Sequence, residues 1–173
     1  MYPAIQNYSQ HDLSKFIPVV SDFYPYAKKR LGFDEEASID FVSDAENAKD
    51  IFGTTAHYNP GTYKITIFVD GRHPKDMLRS ISHELVHHAQ HCNGEFDDIG
   101  HTEPGYAQKN PELRKKEGVA YLIGNGFLVR DYEDKKKYDL RENARRISKM
   151  LIKEWKELIE ITDEEGNPEE GRL

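Results

Sequence analysis

The chain has 173 residues, 37% apolar and 32% charged, with a net charge of −7 from 24 basic and 31 acidic side chains. That length suits one domain with a substantial core, expected over residues 1–165, ahead of an acidic, Gly/Pro-containing tail at 166–173. No basic run is long or aromatic-interleaved enough for a nucleic-acid surface, no apolar run approaches the roughly 20 residues of a membrane helix, and the start lacks the basic and apolar regions of a secretory leader. The single Cys92 excludes an internal disulfide and suits a reducing cytoplasm.

Along the chain, Leu13, Phe16, Ile17, Val20 and Phe23 recur at helical spacing, which predicts a helix over 12–31, kinked or broken at Pro25. Residues 37–42 read as a short strand and 44–51 as a short helix or long turn. Residues 54–58 and 63–69 flank Asn59-Pro60-Gly61-Thr62, a hairpin signal. In the second of these, Tyr63, Ile65, Ile67 and Val69 alternate with Lys64, Thr66, Phe68 and Asp70; Phe68 breaks the polarity and implies cover on both faces. A helix is predicted over 74–92, with Pro74 in its first turn and an apolar stripe of Met77, Leu78, Ile81, Leu85 and Ala89. A Gly-, Asp- and Glu-rich loop fills 93–110. Two more helices are predicted, over 111–131 and 133–162; the second is amphipathic through Leu140, Ala144, Ile147, Leu151, Trp155, Leu158 and Ile159. Lys135-Lys136-Lys137 lies among acidic residues and suits a solvated helix face. A twisted sheet followed by helices is an α+β pattern.

The chemistry concentrates in His83-Glu84-Leu85-Val86-His87, an H-E-x-x-H sequence inside the predicted 74–92 helix. Residues four apart lie on one helix face, so both imidazoles can bind one metal ion. Glu84 projects about 100° around the axis from His83, near such an ion. That suits a carboxylate that takes a proton from a zinc-bound water, and it points to Zn2+ and a metal-dependent hydrolase, foremost a peptidase.

Catalytic zinc usually takes three protein ligands. His91 continues the i, i+4 series but lies roughly 12 Å along the axis from His83, too far for bonds of about 2.0–2.1 Å. His88 points to another face and reads as a supporting or solvent-facing residue. Among Glu95, Asp97, Asp98, His101, Glu103, Glu112 and Glu117, the best candidate is Glu117. It sits inside the 111–131 helix beside Gly118 and Ala120, whose small side chains would allow close approach to the motif helix. Leu113 and Leu128 would turn that face inward, and an inward carboxylate needs a cation. His101 is the runner-up. Tyr106, His101 and Tyr121 are candidates to stabilise an oxyanion, with no ground in the sequence for choosing among them.

These residues resemble the zincin metallopeptidases, and within them the minimal gluzincins, over about residues 63–131. The segment His83 to His91 followed by Glu117-Gly118-Val119-Ala120-Tyr121 is also similar to small predicted peptidases of tailed phages. The resemblance implies a small twisted sheet with an edge strand, packed against an H-E-x-x-H helix and further helices. It implies His83, His87 and Glu117 as zinc ligands and Glu84 as general base. The strand 63–69 would be the edge strand that binds a peptide or protein substrate through its backbone. The location would be the cytoplasm of a bacterial or phage-infected cell. Gln90 and Asn93 depart from the metzincin pattern. Tyr121 stands where many gluzincins have an acidic residue that orients a histidine, leaving that role to Asn125 or a sheet residue. The rival reading is a non-catalytic zinc-bearing binding or virion-assembly protein with the same fold. Oligomeric state is open.

Overall fold

The computed structural model describes residues 3–50, 53–96 and 110–164, the last five by main chain alone. The chain divides into two compact units, Met1–Tyr132 and Glu133–Leu173. Among the described residues no helix is long and apolar enough to cross a membrane.

The first unit is α+β. Strands β1 (Ile5–Asn7), β2 (Ser38–Val42), β3 (Ala56–Asn59) and β4 (Lys64–Phe68) form one open, mixed sheet in the order β1-β2-β4-β3. β1 and β4 flank β2 in parallel, while β3 pairs with β4 in antiparallel register, Tyr58 opposite Ile65. Helix α1 (Ile17–Leu31) joins β1 to β2, α2 (Ala45–Lys49) follows β2, and α3 (Pro74–Cys92) follows β4. In β4, Ile65 and Ile67 are buried, whereas Lys64, Thr66 and Phe68 are half-buried. One face of the sheet therefore carries the core. Ile39, Phe41, Ile65 and Ile67 join Phe16, Val20 and Phe23 from α1 and its approach, and Met77, Ile81 and Leu85 from α3.

Several expectations need correction. β4 is not the edge strand; β3 is, because the hairpin folds β3 to the outside. Helix α1 begins at Ile17, since residues 12–16 form a turn in which Leu13 O accepts from the Phe16 and Ile17 amides. It runs on through Pro25. Val20, Phe23, Tyr24 and Ala27 are buried on both sides of that proline, and their packing offsets the missing hydrogen bond. Gly32, at φ 75°, ends the helix with its amide donating to Lys28 O. β1 is too short to announce itself by alternation.

The third helical region is also continuous where a break was expected at 131–133. Helix α4 (Pro111–Ala120) passes into a π segment (Tyr121–Leu128) and then into α5 (Val129–Glu164). No proline follows Pro111 before Pro168, so nothing stops the helix at Asp131. The π segment is where this course crosses α3. A β-carbon built on Gly124 would lie 2.7 Å from His83 Cα and 2.8 Å from His83 N, so the two backbones touch. Gly118, expected to permit the approach, has open space around it: it faces away while Glu117 faces α3.

The two glycines should respond oppositely to alanine. Gly118→Ala should stabilise by up to about 1 kcal/mol through helix propensity. Gly124→Ala should destabilise by about 1–3 kcal/mol, because backbone must move and overpacking outweighs propensity. Thermal or urea unfolding of the two variants checks this; equal effects would contradict the close crossing.

Candidate metal centre

His83 and His87 sit one turn apart on the face of α3 that meets α4 and the π segment. Pro74 in the first turn and an N-cap by His73, whose ring accepts from Lys75 N, start that helix; Met77, Ile81 and Leu85 bury its other face. The His83 and His87 Nε2 atoms are 3.1 Å apart. Glu117 from α4 points between them, Oε1 3.3 Å from His87 Nε2 and Oε2 3.4 Å from His83 Nε2. Among the described residues this is the one group of three such side chains that could hold a metal ion, with ligand atoms all within 4.8 Å of one another. Bonds of 2.0–2.1 Å around a tetrahedral ion put neighbouring ligand atoms roughly 3.3 Å apart. The two imidazole nitrogens match that spacing, and each lies about as far from its own oxygen of Glu117, so the side chains fit a small ion that accepts nitrogen donors.

The surroundings set the rings. His87 Nδ1 donates to Gln90 Oε1 at 3.0 Å, which leaves Nε2 as the atom that would bind a metal and that, when protonated, donates to Glu117. Gln90 is itself buried, and its Nε2 donates to Lys116 O at 3.4 Å, one residue from Glu117. One amide therefore orients one candidate ligand and ties α3 to the backbone carrying another. The spacing of three between His87 and Gln90, which puts both on one helix face, is the sequence signal for this bond. Asn125 does not take this role: its Oδ1 and His83 Nδ1 are buried with no hydrogen-bond partner among the described residues.

Glu84 is 8% exposed beside the two imidazoles. Burial raises its pKa, and the Glu117 charge adds to the rise; attraction from His87 and His83 and a Tyr58 main-chain hydrogen bond oppose it less strongly. For His87 the balance is different. Burial alone would lower its pKa, but the contact with Glu117 and the charges of Glu84 and Glu117 outweigh it and raise the value.

His88 is not solvent-facing; it is fully buried. Its Nε2 lies 2.9 Å from Glu35 O and must donate there, so its Nδ1 accepts from the Tyr58 hydroxyl at 2.9 Å. Burial holds the ring neutral by lowering its pKa. Tyr58 oxygen in turn accepts from His91 Nδ1 at 3.0 Å. These two histidines anchor edge strand β3 to α3, leaving Glu84 against that strand. Cys92 lies near His88, outside the ligand group, and burial pushes its thiol pKa up.

Of the oxyanion candidates, Tyr121 is brought to the site: its ring meets His83 edge-on, 4.7 Å between centroids, and stays 61% exposed. His101 and Tyr106 lie outside the described residues, as do Asp97, Asp98 and Glu103. Lys116, a conceivable surface partner for Glu117, pairs instead with Glu95 at 3.0 Å. Comparison with protein-family models, curated proteins and solved structures finds no match.

Two outcomes follow from the geometry. Gln90→Ala should weaken metal affinity about 10–100-fold, whereas Gln90→Glu, which keeps an acceptor for His87 Nδ1, should lose much less. Competition titration with a chromophoric chelator reads this; equal loss would contradict the orienting role. The second concerns pH. A raised folded-state pKa means that protonated His87 stabilises the metal-free protein below the ordinary imidazole value near 6.5, and that this contribution fades as pH rises through the raised value. Metal needs the neutral ring, so affinity should already fall on acidification while the pH is still above about 6.5. Affinity flat across that window would contradict a histidine held by Glu117.

Proposed function

We propose that this chain is a zinc-dependent metallopeptidase of zincin-like, gluzincin-type build. The observation that carries the reading is the convergence of His83, His87 and Glu117 from two helices, beside the buried carboxylate of Glu84. Two imidazoles and a carboxylate suit zinc by donor type; calcium and magnesium prefer all-oxygen shells. The helix order supports the same reading: the H-E-x-x-H helix comes first and the glutamate-bearing helix later, with an antiparallel edge strand beside the former.

When bound, zinc polarises a scissile carbonyl and makes its water acidic. The protein's own groups account for the rest. Glu84 is a carboxylate whose burial raises its proton affinity above the ordinary carboxylate range, which strengthens it as a general base. It accepts the proton of the attacking water and returns it to the leaving amine. The outer edge of β3 offers backbone groups to an extended peptide, which would join the sheet as a further strand; this role passes to β3 from the strand 63–69. The Tyr58–His88–His91 bonds hold that strand at a fixed distance from Glu84. Tyr121 is the described candidate to donate to the developing oxyanion.

Glu84→Gln should lower peptide hydrolysis about 10²–10⁴-fold while zinc content stays at one per chain. Cleavage of a model peptide library by the zinc-loaded protein, with and without chelator, supplies the assay. Full activity in the Gln variant would defeat the mechanism. Zinc retained with no hydrolysis by the unsubstituted protein would favour the non-catalytic reading.

A further inference from the structure

The second unit carries a feature the metal centre does not use. From Leu140 the apolar residues Leu140, Ala144, Ile147, Leu151, Trp155 and Leu158 recur at intervals averaging 3.6, a straight stripe along α5. Leu140, Ile147, Met150, Leu151, Ile152 and Trp155 are each 54–68% exposed. The stripe is roughly 30 Å long at 1.5 Å per residue. A continuous apolar strip of that length is larger than monomeric proteins ordinarily leave in water.

Charge says what fits against it. Residues 135–146 hold six basic and two acidic side chains, a net +4. Residues 153–164 hold two basic and five acidic ones, a net −3. The two stretches are equal in length and symmetric about the point between Lys149 and Met150, which is also the centre of the apolar strip. A parallel pair of these helices would set like charge against like. An antiparallel pair sets each basic stretch along the acidic stretch of the other copy, and puts small Ala144 opposite bulky Trp155.

We propose that this face of α5 is the contact between two copies of the chain, packed antiparallel about a two-fold between Lys149 and Met150. The contact is isologous, so it closes as a dimer instead of growing into a filament. The 3.6-residue period matches a straight helix and favours a short, locally packed pair over a long supercoil.

The test is sedimentation equilibrium on the full chain, with orientation read by cross-linking. The full chain should sediment at twice its 20.1 kDa mass. Leu151→Glu combined with Ile147→Glu should give monomer with unchanged metal content, since both positions are exposed and in the second unit. For orientation, Ala144→Cys and Trp155→Cys, the pair that the antiparallel packing sets opposite each other, are each placed in a Cys92→Ser background. The two chains mixed should form a disulfide dimer under mild oxidation, and neither should do so alone. A monomer at micromolar concentration, a dimer untouched by the double substitution, or cross-linking of either variant with itself would overturn the proposal.

Discussion

Gly124 lies so close to α3 that the smallest side chain in its place would strike the backbone of His83. That contact sets how near the course from Pro111 can come to the motif helix, and so where Glu117 stands. Seven residues separate Glu117 from Gly124, about two turns, which puts both on the side of the helix that meets α3. The π segment widens the helix at the crossing, a distortion frequent at functional sites. Without it the helix period would drift differently between Glu117 and the buried Leu128 and Val129. Glycine and wider turn thus act on one quantity, the distance between two helices.

The charges explain why such a site suits a cation. Two carboxylates, Glu84 and Glu117, share a small and largely dry space with two imidazoles. Each raises the cost of ionising the other, which is why burial and Glu117 together lift the Glu84 pKa. In the metal-free protein the same charges, with the Glu117 contact, raise the proton affinity of His87 against the opposing effect of burial. A divalent cation would relieve the repulsion between the carboxylates, and the two imidazole nitrogens and the Glu117 carboxylate already converge within the reach of one ion. Behind the site, a neutral His88 and its bonds to Glu35 and Tyr58 hold sheet and helix together without adding charge.

Much of this was legible in the sequence where a short local pattern determines geometry. The motif helix, its boundaries, the hairpin 54–69 and the pairing of His83 with His87 follow from periodicity and turn chemistry. Glu117 was legible because an inward carboxylate among apolar residues requires a partner. What escaped depends on contacts distant in sequence. Sheet order decides that β3, not β4, lies outermost, and no residue in either strand encodes it. Gly118 and Gly124 look alike in sequence, and only the crossing separates them. His88 gains its role from Glu35 and Tyr58, and Gln90 its tie to the Glu117 helix from Lys116, all more than 25 residues away.

Two imidazoles and one carboxylate are proposed to hold one zinc ion. Zinc K-edge absorption of protein loaded with one equivalent tests it most directly, in the unsubstituted chain and in Glu117→Ala. The account predicts two imidazole scattering paths with nitrogen and oxygen at about 2.0–2.1 Å, and a changed or weakly occupied shell once Glu117 is removed. Sulfur in the shell, a single imidazole, or an identical spectrum from the Glu117→Ala protein would contradict it.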